Sequence, residues 1–212
     1  MILVKKMIDL INDDCMNVMK KYKDHYFDLA IVDPPYQLGT KNSYQGCGVL
    51  KNRKYNKDDQ MKEWDIAPKK EYFVELKRVS KNQIIWGGNY FGDYLGKTRG
   101  IICWDKVQPF PNFSAWEFAW TSFNKVAKLF KYDNRTGGKI HPTQKPIKLY
   151  EWVLVNYAKK GQKILDTHLG SGSSAIATHY FGCDFVGVEI NKKYYNMAKI
   201  RFNEETKQKT LF

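Results

Sequence analysis

The run Phe27-Asp-Leu-Ala-Ile-Val32 is short, apolar, and stops abruptly at Asp33-Pro34-Pro35-Tyr36. Two consecutive prolines cannot continue a central strand, because each lacks a backbone donor and fixes φ, so the chain must leave its sheet at Asp33. Around this stop, strands and helices alternate. Cys15, Val18, Met19 and Tyr22 recur at helical spacing, as do Tyr72, Leu76 and Val79, and then Leu149, Trp152, Val153 and Tyr157 behind Pro142 and Pro146. Gln83–Trp86, Gly100–Trp104, Lys163–Asp166 and Phe185–Glu189 read as strands, with helices over Ser173–Phe181 and Lys192–Glu204. Residues 116–122 and 125–132 read as two strands around a turn, an antiparallel pair. This alternation predicts an α/β fold with a doubly wound, mostly parallel sheet. The 212 residues suffice for one domain spanning 1–212, with a long polar loop over 37–68.

Charge narrows the partners. Thirty-five Lys+Arg against 22 Asp+Glu leave a net charge of +13. Residues 121–160 hold nine of the basic residues against only Asp133 and Glu151. Clustering of that kind suits a polyanion such as nucleic acid better than an evenly solvated surface. The four cysteines, Cys15, Cys47, Cys103 and Cys183, contain no CxxC pair, so neither a zinc site nor a disulfide framework is expected, and no metal site is assigned. The N-terminal apolar run is too short for a signal peptide and no stretch approaches membrane-spanning length. A cytoplasmic location is the expectation.

Two constellations carry chemistry. In Lys163-Ile-Leu-Asp166-Thr-His-Leu-Gly170-Ser-Gly172, a strand enters a Gly-Ser-Gly turn and a helix, and a second strand ends in Glu189. That is the arrangement of a nucleoside site at the carboxyl edge of a parallel sheet, although an isolated GxG also serves plain strand–turn–helix connections. Ala175 stands where a full GxGxxG has its last glycine, which disfavours pyrophosphate dinucleotides. In Asp33-Pro34-Pro35-Tyr36, the carboxylate and the Pro34 carbonyl can accept both N–H bonds of an aromatic amino group while Tyr36 offers a stacking face. An isolated Asp-Pro-Pro is more often a plain proline-bounded turn; the four-residue motif behind a buried strand favours the chemical reading.

Asp33-Pro-Pro-Tyr36 behind an apolar strand, then His141-Pro-Thr-Gln-Lys-Pro146, then Asp166 and Gly170-Ser-Gly172 together resemble the β-class amino-methyltransferases of DNA over most of the chain. The resemblance implies a Rossmann-like methyltransferase fold, circularly permuted because the catalytic motif precedes the cofactor motif, with S-adenosyl-L-methionine as cofactor and double-stranded DNA as substrate. It implies that Asp33, Pro34, Pro35 and Tyr36 form the catalytic set. Asp14 and Cys15 would lie near the cofactor adenine, Thr143 and Lys145 near its methionine end, and Asp166, His168, Gly170, Ser171, Gly172 and Ser173 around the amino acid moiety. Glu189, with Asn191 beyond it, would border the ribose, and Asp33 would also face the cofactor.

Two departures stand out. The family shows Pro-Phe after the cofactor-site aspartate and Thr-Thr after Gly-Ser-Gly, where this chain has Thr167-His168 and Ser173-Ser174. His168 either replaces the aromatic packing or caps the turn, the commoner use of a single histidine. Residues 105–140 and the 37–68 loop are the candidates for a small inserted target-recognition region. There Lys125, Lys128, Lys131, Arg135 and Lys139 are expected to contact phosphates, and Phe110, Phe113, Trp116 and Trp120 are read mostly as core. The resemblance also implies the N6 of adenine as the target, because family members with aspartate at the first catalytic position mostly act on adenine. N4-cytosine methylation and a catalytically silent nucleic-acid-binding protein are the rival readings, and a homodimer is a further expectation.

Overall fold

The computed structural model describes residues 7–36, 66–109, 114–133, 135 and 138–207. Most of the expected 37–68 loop, together with Phe110 and Phe113, lies outside them. The described chain forms one eight-stranded sheet in the order β1-β8-β7-β2-β3-β5-β4-β6. The strands are β1 (Ile8–Ile11), β2 (Leu29–Val32), β3 (Gln83–Trp86), β4 (Ile101–Asp105), β5 (Trp116–Thr121), β6 (Lys128–Lys131), β7 (Lys163–Asp166) and β8 (Asp184–Val188). The helices are α1 (Cys15–Met19), α2 (Lys70–Val79), α3 (Gly92–Leu95), α4 (Ile147–Tyr157), α5 (Ser173–Phe181) and α6 (Lys192–Thr206). No described helix is long and apolar enough to cross a membrane.

β2 shows why the sheet needs helices on both sides. All four of its residues are buried, and alternate side chains point to opposite faces. Leu29 and Ile31 join a core with Leu149, Val153 and Leu154 of α4 and Ala175 and Ala177 of α5. Ala30 and Val32 join another with Val18 and Met19 of α1 and Tyr72, Phe73 and Leu76 of α2. The doubly wound, mostly parallel sheet expected from the sequence is thus what the chain forms.

Topology fixes where a ligand can enter. β2 and β7 are parallel neighbours, with Leu29 opposite Ile164 and Ala30 opposite Leu165. From β7 the chain crosses through α5 to β8 on one flank, and from β2 it passes through α2 to β3 on the other. Connections that diverge from two adjacent strands leave a crevice at their carboxyl ends. Asp33 and Gly170 follow those two strand ends.

The expected pairing of residues 116–122 with 125–132 is corrected. β4 lies between them, antiparallel to β5 and parallel to β6. β4 buries Ile102 and Trp104 and needs a ladder on each side, whereas β6 carries Lys128 and Lys131 at its ends, as suits an edge. β1 was not anticipated: it pairs in parallel with β8, from Ile8 opposite Phe185 to Ile11 opposite Val188.

Candidate active site

The Asp33 turn and the Gly170 turn open into the same cavity, of about 870 Å³. Its walls include Asp33, Pro34, Pro35 and Tyr36 from one turn and His168, Leu169, Gly170, Ser171 and Ser173 from the other, with Glu189 at the end of β8. Tyr36 donates its hydroxyl to Asp33 Oδ1, and burial together with the Asp33 charge raises its pKa well above the ordinary tyrosine value. The ring lies against Gly87, whose φ of +67° and missing Cβ admit it. Tyr36 also stacks on Tyr90, with centroids 4.9 Å apart and planes 20° from parallel. The tyrosine read as an open stacking face is therefore already part of an aromatic pair, and the half-exposed Tyr90 continues it into the cavity.

Lys145 sits on the Asp33 side of this space. Its ammonium lies 2.5 Å from Asp33 Oδ2 and 3.0 Å from Glu117 Oε2, and Glu117 in turn pairs with Lys106 at 2.6 Å. Burial works against ionisation of Glu117, but the Lys145 and Lys106 charges outweigh it and hold the carboxyl below its usual range. Its neighbour Thr143 also lines the cavity, hydrogen-bonded through its hydroxyl to His141 Nδ1 at 3.1 Å. Burial holds His141 largely neutral, with a pKa lowered to about 4.

Across the cavity, Glu189 accepts Gly170 N and Asn191 N, each at 2.9 Å. Burial raises its pKa against these two donors. Gly172 precedes α5 in the left-handed region at φ +76° with no side-chain cap, so the first N–H groups of α5 are free of a capping side chain. Arg201 binds the Ser171 carbonyl and Ser173 Oγ, both at 2.9 Å, and fixes the turn from behind.

Residues 83–200 match the DNA methylase family, the N6/N4 amino-methyltransferases. The chain belongs to this family. Along its length it is 25% identical to the Type II methyltransferase M2.MboI of Moraxella bovis, covering 95% of this chain and 89% of that one. It is 27% identical to M2.DpnII of Streptococcus pneumoniae, covering 94% and 91%. Among solved structures, the M1.HpyAVI–SAM complex superposes with a TM-score of 0.63 at 20% identity, covering 93% of this chain and all of that one. The cytosine-N4-specific PvuII DNA methyltransferase gives 0.64 at 12% identity, covering 98% and 89%. These structural likenesses bear on the fold. As a DNA methylase the protein uses S-adenosylmethionine to methylate DNA.

The cavity fits that cofactor. A carboxylate sits at a strand end where ribose hydroxyls can donate to its remaining lone pairs, and an uncapped helix start suits a carboxylate. The methylase carries His168 where the family has phenylalanine, and it lines the cavity with its ring edge-on to Tyr72, centroids 5.4 Å apart. The Asp166 carboxylate accepts the His168 backbone N–H, and the ring Nδ1 lies in hydrogen-bond contact with Thr167 Oγ1 at 2.9 Å, so the side chain packs as an aromatic and also ties the turn.

Several expected positions lie elsewhere. Asp14 caps α1 by accepting Met16 N, and Asn191 caps α6 by accepting Lys193 N and Tyr194 N; neither they nor Cys15, Asp166 or Gly172 line the cavity. Cys15 is a half-buried thiol pushed up to about 12, by desolvation first. Asp166 is buried, with a donor on each oxygen. Lys145, expected at the methionine end, lines the cavity and is paired with Asp33.

The five basic residues do not form one face. Lys125 and Lys128 bind Asn156 near the C-terminus of α4, at the end of the sheet away from the cavity. Lys131 pairs with Asp105, Arg135 forks onto Asp133, and only Lys139 is close to the Lys106–Glu117 pair. The aromatic residues also divide: Trp120 is core, as expected, but Trp116 is 54% exposed and lines the cavity.

Proposed function

We propose that this DNA methylase transfers the methyl group to the N6 amino group of adenine in double-stranded DNA, with Asp33, Pro34, Pro35 and Tyr36 as its catalytic turn. The observation that carries the reading is the shared cavity, into which the Asp33 turn and the Gly170 turn both open from adjacent parallel strands. Aspartate at the head of the catalytic motif supports adenine over cytosine.

S-adenosylmethionine, when bound, supplies an electrophilic methyl group on a cationic sulfur. Gly170, Ser171, Ser173 and Glu189 would hold it, with Thr143 and His168 on the flanks. The amino group of an adenine has little lone-pair density to offer, so the protein's part is placement more than proton abstraction. Asp33 Oδ1 and the Pro34 carbonyl accept the two N–H bonds and turn the nitrogen toward the Gly170 side. Asp33 is placed to receive the proton shed once the new C–N bond has formed. Tyr36 gives up its hydrogen bond to Asp33 as the amino group arrives, and the ring pair Tyr36–Tyr90 bounds the base. Reaching this depth requires the nucleotide to leave the duplex, at a cost of a few kcal/mol. Lys131 and Lys139, on the cavity side of the sheet, hold the flanking phosphates. The reading places the enzyme with cellular DNA in the cytoplasm, and a homodimer as its working form is tested by sedimentation.

Purified protein, S-[methyl-³H]adenosylmethionine and mixed-sequence duplex DNA provide the test. Label should appear in N6-methyladenine on nucleoside analysis, and Asp33→Ala should abolish transfer while still binding the cofactor. Label in N4-methylcytosine overturns the adenine assignment. DNA binding without any transfer makes the chain a silent binder.

A further inference from the structure

Lys145 is a lysine with only 5% exposure on the wall of a ligand cavity. Two of the three N–H bonds of its ammonium are matched among the described residues, by Asp33 Oδ2 at 2.5 Å and Glu117 Oε2 at 3.0 Å. The Trp86 ring lies beneath it, 5.5 Å from Nζ to the centroid. Burial alone would favour the neutral amine, but Asp33 and then Glu117 outweigh it and hold the group above the usual lysine value, so it stays an ammonium. Beyond Lys145, Glu117 Oε2 has no polar partner among the described residues. Holding a fold together does not require this arrangement, since well-packed apolar side chains of similar volume stabilise a core as well or better than a buried ion trio.

What the trio does provide is an acceptor and a donor side by side on the cavity wall. The Watson–Crick edge of adenine presents the complement: an amino donor at N6 and, one carbon away, an acceptor ring nitrogen at N1. Cytosine repeats the pattern with N4 and N3. At the corresponding positions thymine and guanine show the reverse, a carbonyl acceptor beside an N–H donor.

We propose that Lys145 is a specificity-determining residue that donates its remaining N–H to the ring nitrogen adjacent to the target amino group, while Asp33 accepts from that amino group and Glu117 keeps the ammonium in place. The inference rests on the methyltransferase reading and goes beyond it in naming how the edge of the base is read. It carries two chemical consequences. Thymine and guanine meet a like-to-like clash, donor against donor and acceptor against acceptor. The ring nitrogen, which in a free base competes with the amino group for methyl donors, has its lone pair engaged and is masked. Two carboxylates around one ammonium limit the electron withdrawal that a bare cation at this position would impose on the reacting nitrogen.

Atomic substitution in the base tests this on the wild-type enzyme. Duplexes carrying the site mapped in an expressing host are made with adenine, 1-deazaadenine or 7-deazaadenine at the target, and kcat/KM for label transfer is measured on each. Loss of a hydrogen bond to a charged donor should lower kcat/KM for 1-deazaadenine roughly tenfold or more, with 7-deazaadenine within about threefold of adenine. Intrinsic chemistry would push the other way, since removing N1 enriches the amino group and weakens the base pair. Lys145→Met should be slow on both adenine and 1-deazaadenine and should no longer distinguish them. Should it fail to fold, the wild-type comparison stands alone, with Glu117→Gln expected to narrow the gap. Wild-type enzyme that uses 1-deazaadenine as well as adenine overturns the proposal. If label goes to cytosine, the adenine assignment fails and the same comparison with 3-deazacytosine decides the role of Lys145. If no duplex accepts label, both readings fail together.

Discussion

Ser174, in the first turn of α5, donates its hydroxyl to Asp166 Oδ2 at 2.6 Å and so ties the start of that helix to the end of β7. His168 N serves the other oxygen at 3.0 Å. Both side chains are buried, at 1% exposure for Asp166 and 3% for Ser174, so no water replaces a lost donor. Ser174→Ala should therefore cost about 1–3 kcal/mol of unfolding free energy, seen as a lower urea midpoint with an unchanged slope. Ser174→Thr retains the hydroxyl and should recover most of the loss. Equal midpoints for wild type and Ser174→Ala would mean that the bond does not form in solution.

The same carboxyl sets a pH dependence. Burial lifts Asp166 from 3.8 to about 7, against the opposing pull of Ser174 and the His168 amide. Between those two values the folded protein holds a proton that the unfolded chain has released. The contribution of Asp166 to stability therefore falls as pH rises through this window and is flat above it. His141 and His168, each lowered to about 4 by burial, act in the opposite sense: their contribution grows from pH 4 to about 6.5. Wild type minus Asp166→Asn isolates the carboxyl, and that difference should decline by about 2–4 kcal/mol from pH 4.5 to 8 in cofactor-free protein. A difference curve without slope would show that Asp166 is not desolvated.

The strand ends were legible because proline and glycine act locally. Pro34-Pro35 had to end β2 and Gly170-Ser-Gly172 had to turn the chain, whatever lay elsewhere. Helical periodicity gave α5 its observed limits, Ser173–Phe181. Two things depended on distant pairings that no local signal carries. β6 lies beside β4 because β4 needs a second ladder, and Lys145 lies against Asp33 because α4 starts over the β2 turn. Glu117 and Tyr90 carry a local signal in the sequence. An acid inside the aromatic strand Trp116-Glu-Phe-Ala-Trp120, and Gly87-Gly88-Asn89-Tyr90 directly after an apolar strand, are both marks of a strand end that faces a ligand. The five basic residues divide between the two ends of the sheet, and charge density in sequence says nothing about which end of a strand each residue occupies.

Gly87 should control activity more than stability. Its φ is +67°, and a Cβ there would lie 2.1 Å from the Tyr36 ring. Gly87→Ala pays for the left-handed conformation, roughly 1–2 kcal/mol, and must also push Tyr36 off its place above the turn. A displacement on the scale of an ångström at the proposed catalytic turn should lower kcat/KM on the order of a hundredfold, with the unfolding midpoint only modestly reduced. Tyr36→Ala in the same background removes the overlap, so the two substitutions together should be no worse than Tyr36→Ala alone. A double variant with fully multiplied losses would show that Gly87 acts by some route other than Tyr36.

The division of the basic cluster predicts a division in salt dependence. Lys125 and Lys128 are bound to Asn156 at the far end of the sheet, whereas Lys131 sits opposite Asp105 at the carboxyl end of β4 and Lys139 lies near the cavity-lining Lys106 and Glu117. Each lysine that neutralises a phosphate steepens the fall of log K with log salt by about 0.9. Lys131→Ala and Lys139→Ala should thus each flatten the slope by about one for a duplex and weaken binding to all sequences alike. The double variant Lys125→Ala/Lys128→Ala should leave both slope and affinity within error of wild type. Fluorescence anisotropy between low and moderate salt measures all three, and a slope change confined to the Lys125/Lys128 variant would put the DNA on the opposite end of the sheet from the cavity.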